Sequence, residues 1–376
     1  QVFFRSTTKP SFTLALNDLS KQYGDVDPTA YVATGGVTTL TNTYAGAGGN
    51  NNFAVATSDV IAALTGTRAA GNNVGTYAYT LDGSAMNTTL SAQPNLNIVK
   101  RDITLTSVTA ASKPYDGGTV ASIDGGVFAN VANGETLALS GTGVFADPNA
   151  GTGKTVTVAG LSISGADADN YNLTNTSASA TANITQKTLA ATYTAANKIY
   201  DGTTNAVVTG SSSDIISGDT VTFSKTASTF SDKNVGNAKT VTVSGIQISG
   251  TDASNYLLTN TSTTNTADIT QKSLTAVFSA SNKVYDGDNT ATVVASSAQL
   301  VNLDAVTISN TGASFDNKNV GTGKTVSISG VAISGADANN YSLSNAAATT
   351  TANITKKDLS ISGITASNKI YDGTTS

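Results

Sequence analysis

Four copies of one short pattern carry the side chains best suited to chemistry. It reads "SKPYDGGT" from Ser112, "NKIYDGTT" from Asn197, "NKVYDGDN" from Asn282 and "NKIYDGTT" from Asn368. A Tyr beside an Asp could stack on a sugar and bind its hydroxyls. A Lys among recurrent Asn and Asp residues could form an intramolecular Lys–Asn crosslink, if a buried acid kept its proton in a low dielectric. A second pattern reads "DADNYNL" from Asp167, "DASNYLL" from Asp252 and "DANNYSL" from Asp337. Its Asp167 and Asp169 are oxygen donors of the kind that calcium takes.

Each pattern also has a structural reading, and that reading is preferred. Asp-Gly after an apolar-Tyr pair is a hairpin signal, because Gly takes φ > 0 without steric cost. Tyr115, Asp116 and Gly117, Tyr200, Asp201 and Gly202, and Tyr285, Asp286 and Gly287 are each expected to turn the first strand of a unit into the second. The ring would pack at the end of a sandwich with its hydroxyl on a backbone carbonyl. Lys198, Lys283 and Lys369 would be exposed residues flanking that turn. In the second pattern the carboxylate of Asp169 becomes Ser254 and then Asn339, so ligand charge is lost in two of three copies and no metal is expected. Tyr171, Tyr256 and Tyr341 instead fit a tyrosine corner, the Tyr that opens the sixth strand of an immunoglobulin-type sandwich and bonds back to the chain just upstream. Leu173, Leu258 and Leu343 follow two residues later at an inward position.

These patterns need strands to hold them, and the composition supplies strands. The chain has 376 residues, 39% hydrophobic and only 12% charged, with a single Glu, Glu135. Long Glu/Lys/Leu-rich stretches, the usual material of helices, are missing. Cys, His and Trp are absent, which removes disulfides, thiolate chemistry and the commonest general base and zinc ligand. No Ser-His-Asp set or metal cluster is present, so catalysis and cofactors are not expected. A net charge of −5 without a basic run argues against nucleic acid, and no segment is apolar enough to insert in a membrane. Gln1 is no initiator Met, no signal peptide precedes it, and Ser376 falls just after a repeat opens, so the chain is expected to be a piece of something longer.

The chain keeps a ruler. Tyr115, Tyr200, Tyr285 and Tyr371 are spaced 85, 85 and 86 residues apart, and "GKTVTVAGLSISG", "AKTVTVSGIQISG" and "GKTVSISGVAISG" follow the same interval. Three complete units therefore span 101–187, 188–272 and 273–357, and a truncated fourth opens at 358–376. In "KTVTVSGIQISG", Val241, Val243, Ile246 and Ile248 alternate with small polar residues, the period of half-buried strands. About seven such strands per unit, at intervals near 12 residues, suit a β-sandwich. Residues 1–100 look like a divergent relative, with "KQYGDVDP" from Lys21, "NNVGTYAYTL" from Asn72 and an exposed loop at "AGAGGNNN" from Ala45. The expected fold is all-β, tandem immunoglobulin-like sandwiches set end to end. The junctions "QKT", "QKS" and "KKD" are too short and too poor in Gly to flex, so a rod of roughly 140–160 Å is expected.

Taken together, Lys-x-Tyr-Asp-Gly, Asn-Val-Gly-x-x-Lys-Thr-Val, Gly-x-Asp-Ala-x-Asn-Tyr-x-Leu and Ala-Asn-Ile-Thr-x-Lys resemble the YDG repeat domain. The first hundred residues resemble the MBG domain, although "MNTTL" from Met86 lacks the Asn-Tyr expected there. The resemblance implies the stalk of a large bacterial exoprotein of the filamentous-haemagglutinin type, exported by two-partner secretion and serving attachment or biofilm at the cell surface. Two function classes follow. In the first, this segment is a spacer, and polysaccharide or a host surface is met by regions outside it. In the second, the units are weak carbohydrate- or matrix-binding modules that gain affinity through multivalency. Absent Trp and the structural explanations for the repeated Tyr favour the spacer. Phe3, Phe4, Tyr44 and Phe53 are the remaining contact candidates, and lateral self-association is left open.

Overall fold

Alternation decides the secondary structure. Along Gly236–Ser244 the burial pattern puts Val241 and Val243 fully inside while Thr240 and Thr242 face water. The same holds for Val156 and Val158, and for Val326 and Ile328. The computed structural model describes residues 11–46, 49–84, 87–132 and 134–375. Strands dominate their regular structure, with one short α-helix, Thr57–Ala62, and single 3-10 turns. The fold is all-β, as composition and period imply.

The chain divides into two compact units. One holds 1–187 together with 254–256, and the other holds 188–253 and 257–376.

In the second unit, residues 188–272 and 273–357 repeat one topology. The main sheet of the first has the order Lys198–Ile199, Ser262–Thr270, Gly236–Ser244, Ala227–Phe230. Its counterpart in the next repeat runs Lys283–Val284, Ala347–Thr355, Gly321–Ser329, Gly312–Phe315. Across the core, the opening strand is in two pieces. Lys272–Leu274 pairs in parallel with Tyr341–Leu343, and Val277–Ala280 pairs antiparallel with Val293–Ser296. Two faces with apolar residues between them make each repeat a sandwich.

In the first unit, residues 101–187 have the same plan with longer strands, Arg101–Ala110, Ala138–Phe145 and Gly151–Ser164. The expected seven strands become eight here and ten short ones in each later repeat. Gly245 marks the break, although its counterpart Gly160, at φ +63°, stays within Gly151–Ser164. Gly245 sits at φ +64°, and a Cβ there would lie 2.0 Å from the hydroxyl of Thr226.

Residues 11–100 share the plan too, in the order Leu19–Gln22, Asn95–Val99, Gly75–Asp82, Thr65–Arg68. Phe12–Ala15 pairs in parallel with Thr88–Ala92, as Arg101 pairs with Tyr171 in the following repeat. Thr88 thus holds the register position of the second-pattern Tyr. The loop expected at Ala45–Asn52 is instead the tip of a hairpin, Thr39–Gly46 against Gly49–Ala56. Backbone pairing there needs no particular side chain, so a Gly/Asn-rich stretch can stay in the ladder. Phe3 and Phe4 lie outside the described residues, as do the side chains of Tyr44 and Phe53.

Residues 358–375 form no strand. Leu359 and Tyr371 are 88% and 94% exposed, whereas their counterparts Leu189 and Tyr200 are 0% and 1%.

Candidate functional site

The repeated motif first makes a local clip. Lys198 Nζ lies 2.7 Å from Asp201 Oδ1 and donates to the Thr203 carbonyl at 2.7 Å, bridging the turn. Asp201 Oδ1 also accepts from the Thr203 amide at 2.9 Å. Lys113 with Asp116, Lys283 with Asp286 and Asp288, and Lys369 with Asp372 repeat the pairing. The ammonium of Lys198 rests 5.4 Å over the ring of Phe230. Hydrogen bonding to Lys113 holds Asp116 below the usual carboxylate range. These lysines engage the carboxylates and carbonyls of their own turn. Lys21 does the same work with Asp27 at 2.7 Å, which is how the inverted Gly24-Asp25 order is accommodated.

The motif lies in the connection of a hairpin, Thr192–Ala195 against Val208–Ser211, and not at a two-residue tip. The motif's Lys-x pairs in parallel with the closing strand, Lys198 with Ile269 and Ile199 with Thr270. The Gly does adopt positive φ, +76° at Gly117, +78° at Gly202 and +91° at Gly287. Its bareness has a second use. A Cβ on Gly202 would lie 2.6 Å from Val301 Cγ1, and one on Gly24 would lie 2.3 Å from the Cβ of Ala132. Both neighbours belong to the next domain along the chain.

This contact opens onto a clasp. In the second unit the Tyr200 hydroxyl donates to the Asp304 carboxylate, 2.9 Å from Oδ2, rather than to a backbone carbonyl. Tyr341 donates to the same carboxylate at 2.7 Å and accepts from the Val301 amide at 2.8 Å. The two rings meet edge to face, 5.6 Å apart. Lys233 reaches Asp304 at 3.1 Å and Asp337 at 3.3 Å. Beside them Asn340 Oδ1 accepts from the Val235 amide at 2.9 Å, its Nδ2 donates to Asn234 at 3.2 Å, and Gln271 donates to the Asn339 carbonyl at 3.0 Å. Tyr200, Lys233, Asn234 and Gln271 come from one repeat. Val301, Asp304, Asp337, Asn340 and Tyr341 come from the next.

The first unit builds the same device between residues 11–100 and the following repeat. Tyr23 and Tyr171 each donate to Glu135 at 2.6 Å, and the Ala132 amide donates to Tyr171 at 3.0 Å. Asn170 accepts from the Val74 amide at 2.9 Å. Arg101 ties in the Tyr23 carbonyl and Asp25. Within this unit, too, Tyr115 meets Tyr256 edge-on at 5.6 Å, and Asn255 accepts from the Ala150 amide.

The electrostatics favour one protonation state. Burial raises the hydroxyls of Tyr171 and Tyr341, and the carboxylate each faces raises them further, to about 12. Tyr23 is raised by its bond to Glu135 and then by burial, and Tyr200 by burial and then by Asp304. Burial pushes Asp304 up, but Tyr341, Lys233 and Tyr200 together outweigh it and leave it below the ordinary value. The clasp is therefore a carboxylate between neutral phenols.

Tyr171 and Tyr341 sit where a tyrosine corner would put them, each opening a strand. Their hydroxyls reach Ala132 and Val301, 39 and 40 residues upstream, not the chain just before them. Tyr285 is only half-buried, and a Cβ on its Gly287 would meet nothing within 4 Å. Asp252 and Asp337 serve as loop clips, accepting from the Thr220 and Ala305 amides. Among the described residues no group of three acidic, His or Cys side chains could hold a metal, and no helix is long and apolar enough to cross a membrane.

Glu135, Asp304, Asn170 and Asn340 were not singled out by sequence as a site. One signal was present: an acid recurs at one place in each repeat, as Glu135, Asp219 and Asp304. Asn340 is 3% exposed. Replacing Asn340 with Ala strands the Val235 amide, and is expected to cost the second unit about 1–2 kcal/mol in denaturant unfolding. An unchanged midpoint would show that the amide finds water instead.

No curated protein matches the chain. Among solved structures, Sidekick-1 immunoglobulin domains 1-5 aligns over 93% of this chain and 79% of that one, at 11% identity and a TM-score of 0.23, too low to bear on the fold. The family comparison is informative. The YDG domain matches residues 99–180, 185–265 and 270–352, each stretch holding one Lys-x-Tyr-Asp-Gly clip and one Asn-Tyr. The chain belongs to the YDG domain family, with three copies of the domain following a divergent domain of the same strand order.

Proposed function

We propose that the chain is a load-bearing spacer of a secreted bacterial surface adhesin, of the filamentous-haemagglutinin-like, two-partner-secreted kind that its motifs resemble. It works outside the cell, holding a binding region away from the surface in attachment or biofilm, and performs no catalysis. The observation that carries this reading is the clasp. Buried side chains of consecutive domains are spent on one another, Tyr200 and Tyr341 on Asp304 and Tyr23 and Tyr171 on Glu135, which suits a part whose task is to keep its joints fixed. A string of independent binding modules has no need of such joints.

Because the chain has no Cys, a pair of spin labels can be placed at will. Labels on Ser211→Cys and Ser296→Cys, exposed positions in the two repeats of the second unit, are expected to give one narrow distance distribution. A broad distribution would mean a hinged joint and would overturn the spacer reading.

A further inference from the structure

The N-terminal domain holds a cavity that the clasp does not use. Its volume is about 450 Å³, within the range of small-molecule sites, and it is open to solvent. One wall is the short helix Thr57–Ala62, pinned to the core by Val60, which is 0% exposed. The helix turns Thr57, Ser58, Ile61 and Ala62 toward the cavity. The facing wall includes Tyr31, Val37 and Thr38. The Thr57 amide donates to the Thr38 carbonyl at 3.0 Å and fastens the two walls together. Tyr31 is held by Tyr79, ring edge on ring face at 5.6 Å.

The lining is two-ended. The hydroxyl-bearing residues Thr38, Thr57 and Ser58 line it at the start of the helix, while Ile61 and Ala62 form an apolar end at its finish. No Asp, Glu, Lys or Arg lines it. Thr57 is 3% exposed, and its Oγ1 is the one buried side-chain oxygen among the described residues with no hydrogen-bond partner. A buried hydroxyl left unpaired is costly, and a rotation about χ1 would present it to a guest. At the rim Val32 and Val37 are 53% and 44% exposed, apolar surface that a guest would cover.

We propose that this cavity binds a neutral sugar residue with an apolar edge, a 6-deoxyhexose. Its ring hydroxyls meet Thr38, Thr57 and Ser58, and its methyl group meets Ile61 and Ala62. An acidic sugar would bury a carboxylate with no cation to meet it. A purely apolar guest would leave the Thr57 hydroxyl as unpaired as before. This goes beyond the spacer reading, because it gives one domain of the spacer a grip of its own.

The full chain should be titrated with methyl α-L-rhamnoside, methyl α-L-fucoside, methyl α-D-glucoside, glucuronate and p-cresol, with binding read by ligand-observed NMR. The deoxyhexosides are expected to bind saturably with Kd of about 1–10 mM. The glucoside should be weaker, and glucuronate silent. Ala62→Trp, on an exposed residue at the rim, should weaken binding at least tenfold, and Thr57→Val several-fold, both with unchanged melting. If Thr57→Val fails to fold, Ala62→Trp alone decides. An oligosaccharide ending in the same deoxyhexose that binds at least as well as the glycoside identifies the source as a surface glycan, and binding of the glycoside alone identifies a free sugar. The proposal is overturned if no glycoside saturates by about 50 mM, if Ala62→Trp leaves binding unchanged, or if p-cresol binds better than every sugar.

Discussion

Asp304→Ala is expected to destabilise the second unit by about 3 kcal/mol, the cost of breaking a buried charged network from one side. The Asp304 side chain is 2% exposed, and its loss leaves two buried phenol hydroxyls without an acceptor and Lys233 without its nearest anion. In a unit of this size the melting midpoint should fall by roughly 6–12 °C. Asp304→Asn keeps an acceptor for the tyrosines and should cost less than half as much. The label pair at Ser211→Cys and Ser296→Cys separates the two effects of the change. If the clasp sets the joint, the distance distribution broadens well below the melting temperature. A midpoint within about 0.5 kcal/mol of the parent would mean that the carboxylate is incidental.

The second large effect is alkaline. A phenol in an unfolded chain titrates near 10, whereas Tyr171 and Tyr341 in the fold are pushed up to about 12. Below pH 10 both states keep the proton and the stabilisation is full. Between 10 and 12 the unfolded chain releases protons that the folded chain retains, so stability falls as pH rises. Each of these two tyrosines then withdraws about 2–3 kcal/mol by pH 12. Tyr200 and Tyr23 act in the same direction. On the acid side the sign reverses. Asp304 stabilises the fold above the ordinary carboxylate value, and that contribution is lost as pH falls through its own lower one. Urea unfolding between pH 9.5 and 11.5 tests the alkaline arm. The double variant Tyr171→Phe, Tyr341→Phe should start less stable than the parent and lose distinctly less across that range. Equal losses would place the sensitivity elsewhere.

Much of the fold could be read from the sequence because its causes are local. Val241 and Val243 alternate with Thr, and a 3.3 Å rise per residue turns that alternation into an inside and an outside. Gly202 announces its positive φ by following Asp. The clasp was hidden because its parts are distant and belong to different repeats. Tyr200 meets an acid 104 residues on, and Tyr23 meets one 112 residues on. A ruler of 85 residues aligns each repeat with itself and does not say which copy of the Tyr an acid will touch. The tyrosine-corner pattern located Tyr341 correctly in its strand, but its hydroxyl was already claimed by Val301 and Asp304, partners the local pattern could not supply. The hairpin reading held in outline, since Thr192–Ala195 pairs antiparallel with Val208–Ser211 across the motif, but the pairing of Lys198 and Ile199 with the far end of the repeat lay beyond the reach of turn chemistry.

The clasp is asymmetric, and that has a consequence for how such a chain changes over generations. One end of a repeat contributes a Tyr beside a Gly. The other contributes an acid, an Asn and a second Tyr. A repeat that carries both ends can be duplicated or lost in the gene without creating a surface that lacks its mate, whereas loss of half a repeat would strand a carboxylate or a phenol. Length in this lineage should therefore change by whole repeats. The N-terminal domain obeys a stricter rule. It has Tyr23 and Val74 to offer the repeat that follows, but Thr88 stands where the second Tyr would be. It can therefore clasp a repeat placed after it, while its own leading end lacks the second phenol that a repeat placed before it would meet.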